Sequence, residues 1–178
     1  MSRAIHYLPP SARRVLVVSN PAAGSGANRT LIQELLDRLR QDGLDADLTT
    51  DLEQLQEQGV DPFSTGLRAV VAAGGDGPVA EIVNRTHAAT PIAILPLGTE
   101  NLLARYLDMD LAVAELSQAI VHGATVELDA GRAMDRVFLL MAGCGFDADV
   151  VQRLHSRRAG HIRHLSYIKP IVDSIRTY

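Results

Sequence analysis

Three short loops of the sequence combine glycines with polar side chains, and these are the residues whose types and spacing could do chemistry. The loops are SNPAAGSG (19–26), GGDGP (74–78) and PLGTEN (96–101). Each follows an apolar run typical of a strand and precedes a pattern typical of a helix. Glycines let a ligand approach the backbone, and the first turn of a helix directs N–H groups and partial positive charge at an anion. The loops therefore indicate a phosphate-binding site.

Asp76 is a carboxylate among the glycines of the second loop. None of the three loops contains a lysine, so a metal ion would have to offset the negative charge of Asp76 beside a phosphate. We therefore expect Asp76 to be a catalytic or metal-binding residue, the simpler alternative being a turn former. The loops match neither the P-loop pattern nor the dinucleotide-binding pattern.

The elements that must position these loops alternate between strand and helix. Apolar runs predict four strands, at 15–18, 46–50, 69–73 and 91–95. Helical spacing follows the first, third and fourth of these runs, and an acidic, solvated helix is predicted at 51–60 after the second. A further helical stretch is predicted at 111–122, and a last helix has Ile168, Ile171, Val172 and Ile175 on one face. This order predicts an α/β fold, a parallel sheet with helices on both faces. Because parallel strands end at one edge of a sheet, the three loops should meet there.

The pattern changes after Gly123. Alternating residues at 126–130 and an apolar run at 137–142 flank the turn-like 133–135, which predicts an antiparallel hairpin. We expect a lead-in over 1–14, an α/β nucleotide-binding domain over 15–123, and the incomplete start of a β-rich second domain, a β-sandwich, over 124–178. The unpaired edges of such a hairpin favour association with a second copy, so a homodimer is among the expected partners.

Composition excludes several classes of protein. The chain has 178 residues and a net charge of −4, which does not favour nucleic acid as a partner. The one cysteine, Cys144, excludes an internal disulfide and, lying in an apolar run, is expected to be buried. No apolar run approaches the roughly 20 residues of a membrane span, and the N-terminus lacks a signal-peptide pattern. We expect a cytoplasmic protein, with the basic stretch 153–164 as either a solvated linker or a peripheral contact to anionic lipid.

The segments NPAAG, GGDGPVAEIVN and PLGTENLLARYL, in this order and at these separations, resemble the diacylglycerol kinase catalytic domain family. The likeness continues through VELDAGRA, FLLMAGCGFDADVV and HLSYI. It implies a nucleotide-binding α/β domain followed by a β-sandwich domain. It also implies transfer of the γ-phosphate of ATP, with Mg²⁺, to the hydroxyl of a lipid alcohol such as diacylglycerol.

The resemblance further implies a set of nucleotide-binding residues in the three loops, after the strand near residue 50 and on the helix that follows the second loop. They are Asn20, Pro21, Ala22, Ala23, Gly24, Thr50, Gly75, Asp76, Gly77, Pro78, Glu81, Thr99 and Asn101. Asp76 would meet the phosphates and the metal, and Asn101 would order the third loop. Thr49 stays open as an alternative to Thr50, because no motif fixes the choice.

Two departures from the family pattern affect these expectations. Where the family usually has Thr, this chain has Pro78, which lacks a hydroxyl and an N–H that could meet phosphate but suits the first turn of a helix. The general base of the family is expected beyond Tyr178. The alternatives are a non-catalytic nucleotide-binding remnant of such a kinase and, on Gly-Gly-Asp-Gly alone, a NAD kinase-like enzyme.

Overall fold

The computed structural model describes residues 4–19, 26–53, 55, 66–109, 112–156 and 168–177. Its strands are β1 Ile5–Tyr7, β2 Arg14–Ser19, β3 Asp45–Thr49, β4 Leu67–Gly74, β5 Ile92–Pro96, β6 Ala124–Val126, β7 Gly131–Ala133 and β8 Arg136–Phe138. Its helices are α1 Gly26–Gln41, α2 Asp76–Arg85, α3 Leu102–Tyr106, α4 Val113–His122, α5 Phe146–Ser156 and α6 Ile168–Thr177. The chain divides into two compact units, Met1–Leu139 and Leu140–Tyr178.

The first unit is built on a four-stranded sheet in the order β3-β2-β4-β5, and all three pairings are parallel. β4 lies inside the sheet, and every one of its residues is buried. This explains its near-continuous apolar sequence, since a parallel strand covered on both faces has no solvent side. The predicted α/β fold with a parallel sheet flanked by helices is confirmed.

Helices cover both faces of this sheet. Val17 and Val71 pack in one cluster with Leu35 of α1 and Leu116 of α4. Because side chains alternate along a strand, the buried Val70 belongs to the opposite face of β4, and α2 also contacts this strand. The core therefore lies on the two sides of β4, and the loop that follows β4 starts from a fixed position.

Helix α1 forms because its apolar residues recur at helical spacing. Ile32, Leu35, Leu36 and Leu39 are buried along one face. The helix ends at Gln41, and Gly43 follows with φ +82°, a conformation that glycine adopts at little cost after a helix.

The hairpin expected after Gly123 is only partly present. β7 pairs with β8 in antiparallel register, Gly131 opposite Phe138, around the predicted turn at 133–135. The expectation that 126–130 would pair with 137–142 is wrong, because β6 pairs instead with β1 of the lead-in, Val126 opposite Ile5. Alternation of polar and apolar residues shows that a segment can form a strand, but it does not identify the partner strand.

The second unit contains α5 and α6, which contact each other. Within α5, Arg153 donates to Asp149 at 2.7 Å. Cys144 is exposed in the segment before α5, so its expected burial is wrong. The domain boundary after residue 123 stays a prediction. Among the described residues, no helix is both long and apolar enough to cross a membrane.

Candidate functional site

The second and third glycine loops meet at the carboxyl edge of the sheet. Gly74 at the end of β4 is in register with Pro96 at the end of β5, and Leu97 N donates to Gly74 O at 3.0 Å. The residues predicted in the first loop, Asn20, Pro21, Ala22, Ala23 and Gly24, lie outside the described part of the chain.

The two loops touch through their backbones at Gly75 and Gly98. A Cβ atom added to Gly98 would lie 2.5 Å from Gly75 Cα and 2.7 Å from Asn101 Oδ1. A Cβ on Gly75 would lie 3.3 Å from Gly98 Cα. The glycines are therefore needed here for close approach of two chain segments, a requirement that the sequence did not reveal for Gly98.

Asn101 fixes the shape of the third loop. Its backbone is left-handed, with φ 48° and ψ 49°, a conformation in which asparagine is enriched. Its side chain accepts from Gly98 N and donates to Gly98 O, both at 3.0 Å. Asn101 thus holds both backbone polar groups of the glycine that touches the second loop.

Asp76 joins the second loop to helix α3. Its Oδ2 accepts from Leu102 N and its Oδ1 accepts from Leu103 N, both at 3.0 Å. The first N–H groups of a helix have no partner inside it, and a negative charge is favourable at that end. Asn101, the left-handed residue before α3, does not cap this helix with its own side chain. Asp76 therefore supplies the cap.

The surroundings of Asp76 decide what kind of metal contact it can make. Nowhere in the described chain do three or more His, Cys, Asp or Glu side chains gather as a metal cluster. Mg²⁺ in phosphate-transfer sites commonly takes one or two carboxylates and completes its shell with phosphate oxygens and water. Each Asp76 oxygen accepts a hydrogen bond from one backbone N–H and has a second lone pair. Asp76 thus fits a metal carried by a phosphate ligand.

Pro78 is the third residue of α2, where a backbone N–H is not needed within the helix. Its ring fits against Gly74, because a Cβ added to Gly74 would lie 2.7 Å from Pro78 Cγ. Gly77 has open space instead, with nothing within 4 Å of an added Cβ. The first turn of α2 is thus shaped on one side by Pro78 and open at Gly77.

Glu81 lies one turn further along α2, and its carboxylate is held by two arginines. Oε1 accepts from Arg136 at 2.7 Å and Oε2 accepts from Arg85 at 3.2 Å. The pKa of Glu81 is lowered, mainly by the hydrogen bond from Arg136 and to a smaller extent by the one from Arg85. Its predicted part in nucleotide binding stays a prediction.

The two threonines after β3 differ in accessibility. Thr49 is buried, and its Oγ1 accepts from Asp51 N at 3.1 Å. Thr50 is exposed directly after the strand, at the same edge of the sheet as the loop after β4. Thr99, in the third loop, is exposed as well. Of the two candidates, Thr50 is the exposed one.

A family model describes the part of the chain that carries this site. Residues 14–133 match the model of the diacylglycerol kinase catalytic domain. A diacylglycerol kinase of Staphylococcus carnosus is 24% identical over 160 residues, which cover 87% of this chain and 52% of that protein. A probable YegS-like lipid kinase of Pseudomonas putida is 32% identical over 132 residues, covering 71% of this chain and 44% of that protein. The chain therefore spans about half the length of these relatives.

Solved structures agree with the fold. A putative diacylglycerol kinase from Bacillus anthracis superimposes with a TM-score of 0.56 at 27% identity, covering 71% of this chain and 47% of the other. A second diacylglycerol kinase structure from the same organism gives 0.58 at 24% identity, covering 92% of this chain and 56% of the other.

Proposed function

This chain belongs to the diacylglycerol kinase catalytic domain family, and from that premise we propose that it binds ATP at the edge of the sheet where the second and third loops meet. The observation that supports this most is the joining of these loops by Asp76 and by the Gly75–Gly98 contact. Two glycine loops held together at the carboxyl ends of parallel strands, beside the N-terminus of α2, suit a phosphate chain.

The residues of this site divide between two proposed tasks. Backbone groups of Gly75, Gly77 and the third loop would approach the phosphates, and Thr50 and Thr99 would line the same edge. Asn101 would act by holding the third loop in place. Asp76 would face the phosphates and the Mg²⁺ that they carry. When bound, Mg²⁺ supplies charge neutralisation to the phosphates during transfer.

The proposed reaction is transfer of the γ-phosphate of ATP to the hydroxyl of a lipid alcohol such as diacylglycerol. Phosphoryl transfer depends mainly on positioning and electrostatic stabilisation, which the joined loops would provide on the nucleotide side. Because a lipid acceptor lies in a membrane, the proposal includes a cytoplasmic protein that meets a membrane surface peripherally. Association of two copies stays a prediction.

Calorimetric titration of the 178-residue chain with ATP and Mg²⁺ tests the nucleotide site. We expect saturable binding with a dissociation constant between about 1 µM and 1 mM, the usual range for enzyme substrates. Glu34→Gln, which removes an exposed ion pair with Arg38 on α1, serves as a control that should bind equally well. Absence of saturable binding at millimolar ATP would contradict the proposal.

Transfer itself is tested with radiolabelled ATP and diacylglycerol in mixed micelles. Labelled lipid is the expected product when the protein assayed includes the general base expected beyond Tyr178. ATP binding without any labelled lipid would favour the non-catalytic remnant. Displacement of ATP by NAD at similar concentrations would favour the NAD kinase-like alternative.

Pro78→Thr should have opposite effects on binding and on stability. The threonine restores a hydroxyl and a backbone N–H in the first turn of α2, and one new hydrogen bond contributes about 0.5–1.5 kcal/mol, so ATP should bind about 2- to 10-fold more tightly. Loss of proline should lower the free energy of unfolding by about 0.4–1 kcal/mol, since proline restricts the unfolded chain. Titration calorimetry and urea unfolding measure the two effects. Unchanged ATP affinity would show that position 78 does not face the phosphates.

A further inference from the structure

Two side chains of helix α2 reach the hairpin β7–β8. Asn84 donates through Nδ2 to Val137 O at 2.9 Å, and Val137 N donates to Asn84 Oδ1 at 2.8 Å. Glu81, three residues earlier and on the same helical face, binds Arg136 at 2.7 Å. Arg136 and Val137, which are consecutive in β8, are thus each bound by one side chain of α2.

The Asn84 contact takes the place of a strand. A side-chain amide carries one acceptor and one donor group, and here it meets the N–H and the C=O of a single strand residue, as a neighbouring strand would. Within the described part of the chain, β7 and β8 form a sheet of their own with no third strand. A lone two-stranded hairpin is marginally stable in water, so its location depends on what holds β8.

Both side chains are themselves held in place. Asn84 Nδ2 also donates to Ala80 O at 2.8 Å, which fixes the orientation of the amide. Arg85 binds the second oxygen of Glu81 at 3.2 Å. Side chains restrained in this way lose little further freedom when they bind the hairpin.

We infer that Glu81 and Asn84 are positioning residues, which fix strand β8 to helix α2 and so hold the hairpin at a set distance from the second loop, which contains Asp76. Asp76 begins α2 and Asn84 lies eight residues later, about 12 Å along a rigid helix at 1.5 Å per residue. Glu81 then acts through Arg136 and not on the nucleotide. The inference deepens the proposed function. It rests on that proposal only for the identity of the ligand at the second loop.

A charge-exchange set tests the Glu81 contact by amide hydrogen exchange at Val137 N–H in the 178-residue chain. Glu81→Arg and Arg136→Glu should each speed exchange roughly fivefold, because each places like charges together. The double variant should return most of the way to the original rate. Glu34→Gln removes the ion pair with Arg38 within α1, far from the hairpin in sequence, and should leave exchange at Val137 unchanged. If the single variants exchange at the rate of the original protein, the inference is overturned. It is also overturned if the double variant exchanges as fast as either single variant.

Asn84→Leu tests the amide contact with a side chain of similar size. It removes both bonds to Val137, so exchange there should accelerate roughly tenfold or more. Asn84→Asp keeps an oxygen for Val137 N–H and should give a smaller increase. Equal exchange in Asn84→Leu and the original chain would overturn the inference.

ATP affinity separates this inference from the proposed function. Asn84→Leu should bind ATP within about twofold of the original chain, since Asn84 acts on the hairpin. Any loss of affinity in Glu81→Arg should be recovered in the double variant with Arg136→Glu. A loss that the double variant does not recover would place Glu81 at the nucleotide and overturn its positioning role. If the original chain binds no ATP, the proposed function fails while the exchange rates still decide the inference.

Discussion

Gly98→Ala is expected to lower the free energy of unfolding by about 2–3 kcal/mol, the larger of the stability changes that the candidate site predicts. The new Cβ would lie 2.5 Å from Gly75 Cα and 2.7 Å from Asn101 Oδ1. One of these neighbours is backbone at the end of a buried strand, so it cannot move aside as a flexible side chain would. The midpoint of thermal unfolding should fall by roughly 4–12 °C.

A matched alanine variant in the second loop, Gly77→Ala, makes the comparison specific. Gly77→Ala adds a methyl group where nothing lies within 4 Å, and Gly77 belongs to helix α2, so stability should stay equal or rise by up to about 1 kcal/mol. Urea unfolding of both variants measures the difference. Equal stabilities would show that the two loops do not touch at Gly98.

The parallel sheet with its flanking helices was predictable because it depends on local signals. β2, β4 and β5 arise from near-continuous apolar runs, which are typical of parallel strands buried on both faces. Helical spacing follows each of these runs. The rule that parallel strands end at one edge places 74–78 and 96–101 at the same edge, and the pairing of β4 with β5 makes them neighbours. Composition and spacing were sufficient for this part of the fold.

The contacts that connect distant segments were not predictable in the same way. β1 and β6 are separated by more than 100 residues, and the alternation at 126–130 fits any neighbouring edge. The bond between Glu81 and Arg136 depends on where the hairpin lies. Such contacts follow from the assembled backbone, whereas local patterns report only on neighbouring residues.

Asp76 was predicted in part: its importance was readable from the sequence, but its contact with α3 was not. Its position after a buried strand indicated a functional carboxylate, and the alternative was a turn former. The structure shows a third role, because its two oxygens cap a helix that begins 26 residues later. A left-handed Asn101 leaves α3 without a cap of its own, and backbone conformation at that position is not readable from the sequence.

Replacement of Asp76 should therefore change both stability and ATP binding. Asp76→Ala removes the acceptors of Leu102 N and Leu103 N, and the loss should lower the free energy of unfolding by about 2 kcal/mol, as for removal of a helix cap. Asp76→Asn keeps one oxygen and should cost about half as much. Urea unfolding of the two variants measures this capping role without reference to any ligand.

The dependence of ATP binding on Mg²⁺ separates the capping role from a role at the phosphates. Without Mg²⁺, the carboxylate repels the phosphate chain, so Asp76→Asn should bind ATP as well as the original chain or better. With Mg²⁺, the original chain should gain at least about tenfold in affinity, and Asp76→Asn should lose most of that gain. Calorimetric titrations with and without Mg²⁺ give the four constants. If Asp76 only caps α3, its replacement lowers both affinities by the same factor, and the Mg²⁺ dependence of the variant equals that of the original chain.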